Sequence, residues 1–142
     1  MELNSALHSK IEDLSEDGNA LLENGDWQAA VVKWNQALDL VPEPKSDWEA
    51  ATWLYGSIGD AYFEGRDLDS AKAAFFDALN CPGGTENPFI HYRLGQVLVE
   101  LGENERGISE LLQAYMIDGE DIFSSDDNGQ KYLQLLRDAK LI

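Results

Sequence analysis

The feature that most limits the possible folds is an internal repeat whose register holds across most of the chain. Four columns of residues recur with the same steps of 41 and then 36 positions: Gly18, Gly59 and Gly95; Ala30, Ala71 and Gly107; Trp34, Phe75 and Leu111; Ala37, Ala78 and Ala114. Because four positions keep one register, the pattern indicates three copies of one structural unit.

Each copy is expected to form two helices joined by a tight turn. A second glycine follows the first by six or seven residues, at Gly25, Gly65 and Gly102. Residues three and four apart share a helix face, so Ala30 and Ala37 would let a neighbouring helix approach while Trp34 fills the space between them. A glycine inside the preceding helix costs about 1 kcal/mol relative to alanine, and it therefore indicates a close packing contact.

The hydrophobic periodicity predicts seven helices and no strand of comparable length. Their expected ranges are about 5–24, 27–40, 47–64, 68–80, 87–101, 104–117 and 129–140. Asp26, Asp67 and Asn104 are expected as helix caps or first-turn groups. Ser46 or Asp47 is expected to begin the third helix.

The charge of the chain narrows the class of partner. Twenty-seven acidic residues against ten basic ones give a net charge of −17. Nucleic acids and anionic membranes bind through clusters of Lys and Arg, so neither is an expected partner. An acidic surface would attract a basic protein, although the same charge can serve only to keep a protein in solution.

The sequence gives no indication of a membrane segment or a disulfide. No apolar run approaches the roughly 20 residues that a membrane helix needs, and the stretch MELNSALHSKIEDL lacks the features of a secretion signal. The expected location is therefore cytoplasmic. Cys81 is the single cysteine, and it is expected to be a small buried side chain.

No group of residues predicts catalysis, so the chain is expected not to be an enzyme and to need no metal or cofactor. His8 lies in a polar stretch, and His91 is expected to be a packing histidine because no nucleophile or orienting group accompanies it. The segment SSDDNG (124–129) lacks the alternating ligands and final Glu of a calcium loop, and it is interpreted as a solvated turn.

The repeat resembles the tetratricopeptide repeat (TPR), a 34-residue helix pair with a characteristic pattern of Gly, Ala, aromatic and Pro positions. The second copy matches best, with Tyr55, Ile58, Gly59, Tyr62, Ala71, Phe75, Ala78 and Pro82. The first copy has Asp17 where the pattern has Leu, and the third has Gly107 in place of Ala. The resemblance covers about residues 11–119.

The resemblance implies an all-α, right-handed α-solenoid of three helix pairs plus a C-terminal capping helix. The chain would be one domain over 1–142, with units at about 11–44, 52–85 and 88–121. A last repeat needs its apolar face covered, and the segment 129–140 is expected to form the cap. The apolar side chains at helical spacing in this C-terminal segment are Tyr132, Leu133, Leu135, Leu136 and Leu141.

The resemblance also implies a partner-binding groove lined by the first helix of each unit. Aligned on the three glycines, its lining would be Glu12, Ser15, Asn19, Leu22 and Glu23, then Trp53, Gly56, Asp60, Phe63 and Glu64, then Phe89, Tyr92, Gln96, Val99 and Glu100. Such a groove would have an aromatic floor and acidic edges, where aromatic anchors dominate binding energy and charges steer association. The alternative is that Trp53, Phe63 and Phe89 only pack between helices.

Some TPR proteins hold the C-terminal carboxylate of a chaperone with Lys, Arg and Asn side chains in this groove. Only Asn19 and Arg93 have matching types here, whereas Ser15, Ser57 and Phe89 occupy the other places. A chaperone-tail binder is therefore disfavoured.

The stretch AYMIDGEDIFSSDDNGQKYLQLL (114–136) is similar to the end of small acidic bacterial repeat proteins that act as immunity partners of secreted toxins. The favoured hypothesis is therefore an immunity-type stoichiometric inhibitor of a basic toxin, present as a monomer or weak homodimer. The alternative is a general adaptor that binds a peptide or helix of a partner in its groove.

Overall fold

The computed structural model describes residues 3–142, and these fold as helices with no strand. The helices are α1 (Ser5–Glu23), α2 (Trp27–Asp39), α3 (Glu49–Glu64), α4 (Leu68–Leu79), α5 (Pro88–Glu100), α6 (Asn104–Asp118) and α7 (Gly129–Asp138). Short 3-10 helices lie at Lys45–Asp47 and Asp121–Ser124. The all-α fold expected from the sequence is confirmed.

The chain divides into two compact units, which meet in sequence between Gly84 and Thr85. Unit 1 contains the helix pairs α1/α2 and α3/α4, and unit 2 contains the pair α5/α6 followed by α7. The single domain over 1–142 stays a prediction.

The repeat columns are packing contacts between the two helices of each pair. A Cβ atom added to Gly18 would lie 2.6 Å from the Trp34 ring, and one added to Gly59 would lie 2.8 Å from the Phe75 ring. In unit 2, a Cβ atom on Gly95 would lie 2.7 Å from Leu111 Cγ. The glycine of each first helix is therefore the place where the bulky residue of the second helix enters, as the spacing predicts.

The three residues expected as helix caps or first-turn groups all take one of these two positions. Asp26 and Asp67 accept hydrogen bonds from the backbone amides of Ala29 (3.2 Å) and Ser70 (3.3 Å). Asn104 is the first residue of α6 and therefore a first-turn group.

The start expected for the third helix is wrong. Ser46 and Asp47 belong to the short 3-10 helix, and α3 begins only at Glu49. Trp48, which precedes α3, makes no side-chain capping bond.

The C-terminal helix covers the last helix pair, within unit 2. Tyr132, Leu133 and Leu136 of α7 are buried in one apolar cluster with Leu111 and Ala114 of α6. The same cluster contains Phe123 of the second 3-10 helix and Tyr92 of α5. The capping function is therefore confirmed, although α7 ends at Asp138 and Leu141 is 46% exposed.

Candidate partner-binding surfaces

In unit 1, α1 presents most of its expected groove residues to solvent. Glu12, Asn19 and Glu23 are exposed, and Leu22 is half-buried. Ser15 is different, because it is buried and its backbone carbonyl and hydroxyl both accept from the Trp34 indole N–H, at 3.2 and 3.3 Å. Ser15 therefore anchors α2 rather than facing a partner.

The expected residues of α3 share one helix face with an exposed indole at its centre. Trp53 is 38% exposed, and the space at the Cβ position of Gly56, one turn further on, is empty to at least 4 Å. Asp60 and Phe63 are half-buried on the same face, and Glu64 is exposed. The Arg66 guanidinium carbon lies 6.0 Å from the centre of the Phe63 ring. This face combines aromatic surface with carboxylates.

Two expected groove residues of α5 are unavailable to a partner, which corrects the sequence-based assignment. Tyr92 is fully buried and Gln96 is 1% exposed. The cause is the segment between α6 and α7, which packs against this face of α5. Phe123 meets the Tyr92 ring edge-on, with 5.0 Å between the ring centroids.

The same segment places a carboxylate among three polar side chains of α5. Asp126 accepts hydrogen bonds from Tyr92 Oη (3.1 Å) and Gln96 Nε2 (3.4 Å), and its ion pair with Arg93 measures 3.0 Å. Burial and the Asp126 charge raise the pKa of the Tyr92 hydroxyl. The segment SSDDNG is therefore not only a solvated turn, because the contacts of Asp126 bind it to α5.

The remaining expected residues of α5 also contact their own unit. Arg93 lies over the Phe89 ring, with 5.3 Å from the guanidinium carbon to the ring centre. Glu100 accepts a hydrogen bond from Tyr132 Oη at 3.1 Å. Val99 meets the backbone at Gly107, where an added Cβ atom would lie 2.6 Å from its side chain. Consequently, unit 2 offers a partner less of its expected surface than unit 1 does.

His91 is buried, as a packing residue would be, but its contacts are polar. One ring nitrogen contacts the Glu110 carboxylate, and the other lies 2.8 Å from the Thr85 carbonyl oxygen. Since both partners are acceptors, the doubly protonated imidazolium satisfies both. The hydrogen bond that His91 donates to the Glu110 carboxylate raises the pKa of His91 more than burial lowers it, and the hydrogen bond to the Thr85 carbonyl adds to the rise.

Sequence reasoning missed an open cleft of about 260 Å³ in unit 1. It is lined by Asn35 of α2, by Tyr55, Ile58 and Tyr62 of α3, and by Ser70, Ala73, Ala74 and Asp77 of α4. The sequence analysis uses the three α3 residues only as matches to the repeat pattern, and both tyrosines are half-buried. The polar hydroxyls of the two tyrosines were the one sequence feature that could have indicated the cleft.

Residues 3–142 contain no group of three or more His, Cys, Asp or Glu side chains placed to hold a metal ion. None of the helices in the same range combines the length and the apolar character needed to span a bilayer.

Comparison with known proteins identifies the fold. No protein-family model matches the sequence. The TPR domain of Arabidopsis OM64 is similar with a TM-score of 0.74 and 16% sequence identity, over 94% of this chain and 98% of that one. The first TPR domain of Spaghetti (RPAP3), solved with the HSP90 peptide SRMEEVD, has a TM-score of 0.72 and 16% sequence identity, over 94% of this chain and 98% of that one. The second TPR domain of human RPAP3, in complex with the HSP70 peptide SGPTIEEVD, has a TM-score of 0.72 and 12% sequence identity, over 92% of this chain and 98% of that one. The chain therefore has an all-α fold of the tetratricopeptide-repeat type.

Proposed function

We propose that this protein is a non-catalytic adaptor that binds a peptide or helix of a partner protein on the groove face of unit 1. This face consists of Glu12, Asn19, Leu22 and Glu23 of α1 and Trp53, Gly56, Asp60, Phe63 and Glu64 of α3. The observation that carries the proposal is Trp53, an indole 38% exposed beside the empty space at Gly56. An exposed tryptophan next to a notch is typical of an interface anchor.

The structural neighbours support peptide binding by analogy of fold. Two of them are TPR domains bound to short peptides, SRMEEVD and SGPTIEEVD, both ending in acidic residues. This chain is a poor receptor for such acidic tails, because its net charge is −17 and Arg93 is already paired with Asp126. A peptide with Lys or Arg side chains and an apolar anchor suits the groove face better.

The immunity-type inhibitor of a basic toxin has the acidic charge in its favour, but the structural neighbours support the adaptor instead. The two functions differ in what must be bound. An adaptor should bind a short isolated peptide, whereas an inhibitor should require a folded basic protein. Binding of a peptide with the same affinity as its parent protein would favour the adaptor.

The test is a screen of 15-residue peptides of varied charge, followed by titration of the tightest binder into the full-length chain. Trp53→Ala should weaken binding at least about tenfold, because a central aromatic anchor contributes 2 kcal/mol or more. Val32→Ala is the matched control, since Val32 of α2 is 55% exposed in the same unit and lies outside the groove face. If no peptide bound in a way that depended on Trp53, the proposal would be wrong.

A further inference from the structure

Unit 1 has a second recessed surface on the other side of α3. Tyr55, Ile58 and Tyr62 line the open cleft and lie at intervals of three and four residues, so they share one face of the helix. At 3.6 residues per turn, that face points about half a turn away from Trp53 and Gly56. The cleft is therefore separate from the groove face.

The floor and one wall of this cleft are apolar. Tyr55 and Tyr62 are half-buried, and Ala73 and Ala74 leave room beside their rings because they carry only a methyl group. At about 260 Å³, the space is smaller than a pocket for a drug-sized ligand, which has roughly 300–1,000 Å³. It is of a size for a single long side chain.

The carboxylate of Asp77 is part of the cleft lining. Within residues 3–142, no lysine or arginine lies at ion-pair distance from Asp77. Asp77 is an exposed residue, and the partial loss of hydration of its carboxyl raises the pKa of that group. Burial is the main cause that raises the pKa of the Tyr55 hydroxyl, and the Asp77 charge adds to the rise, so this charge lies close to the aromatic floor. A cation bound here would lower the pKa of both the Asp77 carboxyl and the Tyr55 hydroxyl.

We propose that the cleft receives an arginine side chain from a basic segment of a partner protein. The guanidinium would pair with Asp77, donate to Asn35 Oδ1 and Ser70 Oγ at the edges, and lie against a tyrosine ring. Arginine suits this arrangement better than lysine, because its planar group carries five donors and stacks on aromatic faces. Its methylene groups would cover the alanine wall. This site does not depend on the function proposed for the groove face.

The experiment is a titration of the full-length chain with Nα-acetyl-arginine amide, followed by the backbone amide signals in ¹H–¹⁵N NMR spectra. The signals of α3 and α4 around Tyr55 and Asp77 should shift and saturate. Asp77→Asn should weaken binding at least about tenfold, as expected when a charge-assisted contact is lost. Ala73→Leu should abolish binding, because the larger side chain would occupy the cleft.

Two controls separate this site from general attraction to an acidic protein. Asp13→Asn removes the same charge from an exposed position on α1 and should leave the affinity within twofold. The citrulline derivative, a neutral analogue of arginine, should not bind, and the lysine derivative should bind severalfold more weakly. The amide spectra of the variants also report whether each remains folded.

Three outcomes would overturn the proposal. The first is an absence of saturable shifts in the wild-type protein. The second is an equal loss of affinity in Asp13→Asn and Asp77→Asn, which would mean diffuse electrostatic attraction. The third is binding of the citrulline or lysine derivative as tightly as arginine. None of these results bears on Trp53, so the site can fail while the adaptor function stands.

Discussion

Gly59 of α3 lies against the ring of Phe75 of α4, so closely that a Cβ atom on the glycine would stand 2.8 Å from Phe75 Cε1. Both residues are buried, and each belongs to a column of the internal repeat. Three residues earlier on the same helix, the Cβ position of Gly56 has no atom within 4 Å apart from its chain neighbours and the nearby backbone of its own helix. One helix thus contains a glycine that packing requires and one that it does not.

We expect opposite effects when these two glycines are replaced by alanine. Gly59→Ala should lower the free energy of unfolding by about 1–3 kcal/mol, because the Phe75 ring must move in a filled core. Gly56→Ala should raise it by up to about 1 kcal/mol, because alanine favours the helix and meets no atom. Urea unfolding of both variants measures the difference. Equal effects of the two changes would contradict the packing argument.

His91 predicts a dependence of stability on pH. Its pKa is raised in the folded state, chiefly by Glu110, so its contribution to stability is fully present below the unfolded pKa of about 6.5 and is lost as pH rises through the folded pKa. In the wild-type protein, this contribution to the free energy of unfolding should therefore fall from pH 6.5 upwards. His91→Gln should lack this component, and Glu110→Gln should shrink it. Urea unfolding at a series of pH values tests both, and identical pH profiles for wild type and His91→Gln would refute the assignment.

The helix pairs could be predicted from sequence because their contacts are short-range and repeated. Gly59 and Phe75 lie on neighbouring helices of one pair, and the same contact recurs at Gly18 with Trp34. The spacing of small and bulky residues therefore encodes the fold directly. Helix ends were less predictable where the connecting segment forms local structure of its own, as at Ser46 and Asp47, which belong to a 3-10 helix.

The candidate surfaces were harder to predict because they depend on contacts outside the repeat. Tyr92 and Asp126 are 34 residues apart, and nothing in the columns indicates that the segment before α7 packs on α5. The cleft at Tyr55 was hidden for another reason. Its residues follow the same helical period as core residues, and only the neighbouring alanines of α4 leave it open.

Asp126 should stabilise unit 2 more than its neighbour does. Asp126→Ala removes the shared acceptor of Tyr92, Arg93 and Gln96, and it should lower the free energy of unfolding by about 1–3 kcal/mol because two buried donors and one half-buried donor lose their partner. Asp127 is exposed, so Asp127→Ala should change stability by less than about 0.5 kcal/mol. Chemical denaturation of the two variants is the measurement. If Asp127→Ala were the more damaging change, the role given to Asp126 would be wrong.

The acidic edge of the groove face should act mainly on the rate of association with a basic partner. Glu23→Lys combined with Glu64→Lys should slow association with a Lys/Arg-rich peptide severalfold or more. The acidic residues attract the basic peptide over long range and so accelerate encounter, and the two lysines would remove this attraction. The dissociation rate should change less. Stopped-flow kinetics at several salt concentrations measure this, and the wild-type rate should fall with added salt while the double variant responds weakly. Glu100→Lys is unsuitable as a third change because Glu100 accepts a hydrogen bond from Tyr132. Association rates unaffected by both charge reversal and salt would show that the groove face does not steer its partner by charge.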